Sequence, residues 1–388
     1  MKTVLLRAPL LTYSGYGTHS RQIFRWLMNV PDIDLKVQVL PWGLTPWMIN
    51  PDLENGLVGK IMERTNFQAN NKFDITVQLQ LPNEWDPSLG NVNIGLSAMV
   101  ETDRCNPAWV ECCNKMSHVI VPSNHAKRAI EASGVLTAPL SIVPEAFYDE
   151  IISDDIPELD LDLDTDFNFL IVGQLTGNSP ENDRKNTFYA IRWLCETFAG
   201  DKDVGIVLKT NSGRNTKIDK KLTANVISQL ISEIRPGPYP KVHLLHGTMD
   251  QLEMAALYRH PKIKALISLT RGEGFGLPLL EAAASGLPII ATNWSAYLDF
   301  LSLGKFIPLD YSLHEIDKSR VDNSIFMAGA KWAQPTESDV KRKIKKFRSS
   351  WIMPTEWAKK MQPHIIEKYS QAAINESYDK ILAQYFKG

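Results

Sequence analysis

Residues 263–292 read IKALISLTRGEGFGLPLLEAAASGLPIIAT, and this stretch decides the fold. IKALISL is an apolar run of strand length, and LPIIAT is another. Pro278 suits the first turn of a helix and Gly286 the residue just past its end, so the spacing predicts a helix over 278–285 between the two strands. A strand, a helix and a second strand in this order form a right-handed crossover in a parallel sheet. Ligands of such sheets gather beyond the carboxyl ends of the strands, where the loop TRGEGFG lies.

The same rhythm runs outward in both directions. Upstream, FNFLIVGQL, VGIVLKT and KVHLLHG read as strands, and 186–198, 220–233 and 250–258 as helices. Earlier still, TVLLRAP, LKVQVLP, DITVQLQLP, NIGLSAMV, HVIVPS and LSIVPEA read as strands, with helices predicted over 18–28, 107–115 and 124–132. Between the two series, residues 150–166 carry eight carboxylates and no basic residue, a composition that predicts a solvated linker. The chain thus divides into a first α/β domain over 1–150, an acidic linker over 151–166, a second α/β domain over 167–350, and a helical tail over 351–388 expected to pack toward the first domain. A length of 388 residues fits two such domains.

The loop TRGEGFG carries the chemistry. Free N–H groups of Gly276, Leu277 and their neighbours at a helix N-terminus offer a site for a diphosphate. Gly274 and Gly276 let the backbone approach a ligand closely. Glu273 in the loop can accept hydrogen bonds from sugar hydroxyls, and Glu281, inside the helix, can reach a ribose. A well-capped helix alone leaves the glycines and the loop carboxylate unexplained.

With these residues the chain resembles the retaining family 4 glycosyltransferases, whose E-x7-E signature appears as Glu273 and Glu281. PAWVECCNKMSHVIVPSNHAKRAI and LSIVPEAF resemble the second half of that family's N-terminal lobe. The resemblance implies the GT-B fold, in which two Rossmann-like doubly wound parallel-sheet domains face a cleft. It further implies transfer of a hexose from a nucleoside diphosphate sugar, UDP- or GDP-linked, to a hydroxyl acceptor with retention of configuration. By that resemblance the first glutamate holds the donor sugar, the second the ribose, and backbone amides the diphosphate. No separate cofactor and no metal are expected.

Other residues extend the expected site. The family's diphosphate meets an arginine and a lysine after the first strand of the second lobe. Here the loop is GQLTGNSPENDRKN, with Gln174 where an arginine is common, so Arg184 and Lys185 are the candidates for the charge. Lys209, at the end of VGIVLK, is a third cation, and Phe275 completes the loop backbone. Gly15 and Gly17 of the SGYG turn follow the first strand as a glycine-rich acceptor-side loop does and are further donor contacts. Glu101 ends NIGLSAMV, where relatives carry a histidine. With Glu273 and Lys209 it is an expected catalytic group, orienting hydroxyls and favouring positive charge at the anomeric carbon. A helix cap is the alternative account of Glu101. His19 is a weaker candidate, and His243 and His246 read as structural. No Asp-x-Asp triplet ends a buried strand, so none reads as a metal site.

Composition excludes several classes. Forty-two basic against 44 acidic residues give a net charge of −2, which removes whole-chain attraction to nucleic acid. The cluster KRKIKKFR (Lys341–Arg348) offers a local patch for lipid phosphate or nucleic acid, but a solvated helix face is the favoured reading. No apolar run reaches the ~18 residues of a membrane span, and four cysteines without a C-x-x-C pair fit a reduced cytoplasmic setting. Two other functions stay open: a nucleotide-sugar epimerase of similar architecture, which needs acid and base groups in the first domain, and a catalytically idle sugar-nucleotide-binding subunit. The acceptor remains open among glycan, lipid, protein and modified DNA base.

Overall fold

The computed structural model describes residues 1–68, 71–177 and 179–386, and they form two compact units. The first comprises 1–146, 323–327 and 371–388, the second 147–322 and 328–370. The tail expected over 351–388 is therefore divided between the two units at residue 370. Of its residues, 387–388 lie outside the described set, as does Asn178 of the loop GQLTGNSPENDRKN.

The first unit holds β1 (Lys2–Ala8), α1 (Gly15–Leu27), β2 (Ile33–Val39), α2 (Leu53–Glu63), β3 (Phe73–Leu79) and β4 (Gly90–Leu96). It continues with α3 (Pro107–Cys113), β5 (His118–Val121), α4 (Asn124–Glu131) and β6 (Leu140–Ile142). Its strands form one parallel sheet in the order β2-β1-β3-β4-β5-β6. Apolar residues cover both faces, as a parallel sheet requires. Helix α1 begins at Gly15, three residues before the predicted start, because the Ser14 hydroxyl caps it by accepting from the Gly17 amide at 2.9 Å.

In the second unit the order is β7 (Phe167–Val172), α5 (Thr187–Thr197), β8 (Val204–Thr210), α6 (Lys217–Ile234), β9 (Lys241–His246), α7 (Gln251–Arg259), β10 (Ile263–Ser268), α8 (Leu277–Ala284) and β11 (Ile289–Thr292). Then come α9 (Leu298–Leu301), β12 (Ile307–Leu309), β13 (Tyr311–Glu315), β14 (Lys331–Pro335), α10 (Glu337–Ser350) and α11 (Ile352–Tyr369). A final helix, α12 (Gln371–Phe386), returns to the first unit, where Tyr378 stacks on Trp26 with ring centroids 5.0 Å apart. The second sheet is also parallel, in the order β12-β11-β10-β7-β8-β9, and β13 and β14 form an antiparallel pair. Chain order reverses between β10 and β7. Such a switch point opens a crevice at the carboxyl ends of the two strands, so the loops after β7 and β10 are brought together by topology alone.

Two expectations change here. The acidic segment is packed rather than a solvated linker: from Leu159 to Asp166 side chains alternate, with Leu163 and Thr165 buried and Asp160, Asp162, Asp164 and Asp166 exposed. Its composition concealed a period of two, and Ile151 and Leu163 join the core beside α7 and α8. Glu101 does not end a strand. β4 stops at Leu96 and Glu101 lies in the bend beyond it, because the backbone leaves extended geometry at Met99 (φ +59°).

Gly17 is fixed by contact. A Cβ there would lie 2.1 Å from the Thr12 carbonyl oxygen, whereas one at Gly15 meets nothing within 4 Å. Gly17→Ala should therefore destabilise the protein by about 1–3 kcal/mol through overpacking, and Gly15→Ala should change stability by less than about 0.5 kcal/mol. Denaturant melts of the two variants against wild type check the difference.

Candidate functional site

At the switch point of the second sheet, the loop after β10 places Glu273 against two cations from the loop after β7. Lys185 Nζ lies 2.7 Å from Glu273 Oε1 and Arg184 Nη1 3.1 Å from Oε2. The Thr270 hydroxyl donates to Oε1 at 2.9 Å. The Ser295 hydroxyl accepts from the Glu273 amide at 2.6 Å and donates to its carbonyl at 2.7 Å, holding the backbone of the loop. Burial pushes the Glu273 carboxyl upward, but Lys185 and Arg184 outweigh it and hold it at about 2. The group is a permanent anion flanked by two cations. Side-chain exposures of 9% for Glu273, 12% for Arg184 and 18% for Lys185 leave the cluster one open side.

Arg271, in the same loop, was not singled out from sequence. Buried, with its guanidinium 5.3 Å above the Trp332 ring, it donates from Nη1 to the carbonyls of Pro180, Glu181 and Asp183 at 2.8–2.9 Å and from Nε to Gln334 at 2.9 Å. It thereby pins the chain just before Arg184 and Lys185. Asp183 ties down the other end: its carboxylate accepts from the Thr176 hydroxyl at 2.7 Å and from the Thr187 amide opening α5 at 2.7 Å. Trp332 and Gln334 are some sixty residues from the motif, and no local signal announces them.

Gly274, Phe275 and Gly276 are buried, and Leu277 begins α8. Gly276 is its N-cap at φ +105°, a conformation that other residues rarely adopt. The unbonded amides of the first turn open at this N-terminus, next to the loop. Glu281 is half-buried within α8 and accepts a hydrogen bond from the Tyr258 hydroxyl at 2.9 Å. Burial raises its carboxyl to about 7, with the Tyr258 bond a smaller opposing effect. Lys209, buried near the end of β8, donates to the Gly247 carbonyl and to Asn211 Oδ1 at 3.2 Å. Burial lowers its ammonium to about 8, so it remains mostly charged at neutral pH.

In the first unit, Glu101 is half-buried and its charge is felt at Tyr16. The Tyr16 hydroxyl lies 3.1 Å from Ser97 Oγ and accepts from the Ala98 amide at 3.1 Å, while its ring stacks on Trp42 at 3.9 Å. His19 is buried, 3.3 Å from the Tyr378 hydroxyl and 3.9 Å from Glu145, and burial lowers it to about 3. Burial thus favours the neutral imidazole. His243 and His246 lie on β9, with His246 3.3 Å from the Ser212 hydroxyl. Gln174 lies in the loop after β7. Among the described residues no group of three His, Cys, Asp or Glu is placed to hold a metal ion. In the cluster 341–348 most charges are spent within the unit: Lys341 pairs with Glu196 and Glu337, Arg342 with Asp339, Lys343 with Asp310 and Asp339, and Arg348 with Asp203. Among the described residues no helix is long and apolar enough to cross a membrane.

Residues 233–307, from the end of α6 to β12, match the family model "Glycosyl transferases group 1". This stretch resembles a glycosyltransferase group 1 domain. It contains Glu273, Gly276 and Glu281, while Arg184 and Lys185 reach the group 1 stretch from outside it. A glycosyltransferase of Rickettsia africae has a similar structure over 100% of this chain and 99% of its own, at 12% identity and a TM-score of 0.65. Anabaena HepE, in a complex with UDP and glucose, is similar over 99% of this chain and 100% of its own, at 13% identity and a TM-score of 0.60. These likenesses show the fold, which is GT-B. "Putative glycosyltransferase 48" of Sulfolobus islandicus filamentous virus is 24% identical over 184 residues, 46% of this chain. The match spans 55% of that relative's length.

The two glutamates should respond oppositely to charge removal. Glu281 holds its proton to about pH 7 in the folded protein against an ordinary value of 4.5, so the folded state binds more protons between those values and stability falls as pH rises across that window. Glu281→Gln abolishes that fall. Its melting temperature relative to wild type should be several degrees higher at pH 8 than at pH 4.5, and an equal difference at both pH values would show that Glu281 titrates normally.

Proposed function

We propose that the protein is a retaining glycosyltransferase that moves a hexose from a nucleoside diphosphate sugar, UDP- or GDP-linked, to a hydroxyl acceptor, without a metal ion. The observation that carries this reading is the Glu273–Lys185–Arg184 cluster beside the glycine-capped start of α8. It combines a fixed anion for sugar hydroxyls with two cations and helix amides for a diphosphate. The group 1 match over the same loop and the UDP and glucose in the HepE complex support it.

In this reading the donor diphosphate lies at the opening amides of α8, with Arg184, Lys185 and Lys209 supplying positive charge. Glu273 orients the sugar and Glu281 the ribose. The bond between the anomeric carbon and the diphosphate oxygen breaks as the acceptor oxygen forms its bond on the same face. The departing diphosphate takes the acceptor's proton, so no covalent nucleophile is required. Charge development is met by groups already held in place, as electrostatic catalysis demands. Glu101 is assigned to hydroxyl orientation.

Glu273→Gln should lower turnover by about a hundred- to a thousandfold, because a sugar-contacting carboxylate acts mainly in the transition state. The affinity for free UDP or GDP should hold or rise, since Lys185 and Arg184 lose their internal counter-charge. Nucleotide release assays and calorimetry with each sugar nucleotide check both parts, and a parallel loss of nucleotide binding would make Glu273 structural. EDTA should leave turnover within about twofold, the diphosphate charge being met by protein groups. Complete loss restored by magnesium or manganese would overturn the metal-free assignment.

A further inference from the structure

Helix α6 carries an unusual outer face. Only Thr223 and Ile227 of its 18 residues are buried. Ile218, Leu222 and Val226, spaced four apart and so on one side of the helix, are exposed by 71%, 57% and 44%. Lys217 and Lys221, each one position ahead of an exposed apolar residue, run along the adjoining edge, with Lys220 and Arg214 at the same end of the helix, and all four are exposed. Ion pairing distinguishes this face from the cluster 341–348: among the described residues none of these four cations makes an ion pair, whereas those of α10 are largely neutralised within the unit and its apolar residues Val340, Ile344 and Phe347 are buried. Asp219, two positions from both Lys217 and Lys221, caps the helix by accepting from the Thr216 amide and hydroxyl.

An apolar stripe with lysines that make no ion pair along one edge is complementary to a surface that is apolar within and anionic at its boundary. We propose that α6 is a peripheral docking helix for an anionic lipid bilayer, inserting Ile218, Leu222 and Val226 among the acyl chains while Lys217 and Lys221 beside them meet lipid phosphates. Another exposed apolar group, Leu44, Trp47 and Ile49, lies in the stretch LPWGLTPWMIN, which contains no cation, and lacks this complementarity. Docking through α6 holds the bilayer beside the loop 211–216, which joins Lys209 of the donor site to the Thr216 cap.

Cosedimentation of the full chain with two kinds of vesicle tests the proposal without any donor or acceptor, so its outcome is separate from that of the transferase reading. The protein should pellet with phosphatidylcholine vesicles containing phosphatidylglycerol, stay in solution with phosphatidylcholine alone, and be released by salt. Lys217→Gln with Lys221→Gln should lower the partition coefficient by about tenfold or more, and Ile218→Ser with Leu222→Ser by a similar factor, with melting temperatures unchanged because all four sites are exposed. Failure of the wild type to bind anionic vesicles would overturn the proposal, as would binding that survives both variant pairs. Light scattering that shows a dimer broken by Leu222→Ser would assign the stripe to a second copy of the chain instead.

Discussion

The need to compensate a buried carboxylate shapes the second unit. Glu273 is desolvated enough that its charge requires partners, and Lys185 and Arg184 provide them. Those partners belong to a loop nearly ninety residues away in sequence. The switch point between β7 and β10 brings the two loops together, and Arg271 holds them in register by bonding the carbonyls that precede the cations. The cluster is therefore a product of topology, a buried guanidinium and one hydroxyl, Ser295, that bonds both the amide and the carbonyl of Glu273.

One environment makes Glu273 a permanent anion and another keeps Glu281 poised near neutrality. Glu273 lies on the connection from β10 to α8 and Glu281 inside α8, eight positions later. Glu273 has two cations and a hydroxyl donor within hydrogen-bonding distance, while Glu281 has only the Tyr258 hydroxyl against its burial. Environments that push like groups apart in this way are how one fold assigns different tasks to the same side chain. A carboxylate held near 2 does not exchange protons during a reaction at neutral pH. One near 7 gains its charge most readily when a hydroxyl donor arrives.

The first unit is completed by segments from far along the chain. Helix α12 contributes Ile374, Tyr378 and Leu382 to its core, and residues 323–327 also belong to it. Tyr378 closes over Trp26 and reaches His19, which explains why His19 is buried and neutral. Gly17, in the first turn of α1, is dictated by the approach of the Thr12 carbonyl.

How much was legible in the sequence depended on the range of the interaction. Strand and helix order, the fold class and the helix behind Glu273 followed from local periodicity and from Pro278 and Gly286, because those signals lie within a few residues of the geometry they dictate. β12, β13 and β14 were not legible, being short and without strong alternation, and neither was the packed character of the acidic segment, whose aspartates masked the inward leucines. Arg184 and Lys185 were legible as cations but not as partners of Glu273, and Arg271 was overlooked although it lay inside the quoted motif. The sequence by itself determined which segments become strands, helices and glycine-rich turns, since backbone preference and side-chain period act locally. Only the tertiary structure decided which charges meet, which are buried and which stay exposed on α6, since pairing and desolvation depend on residues that the chain brings together from far apart.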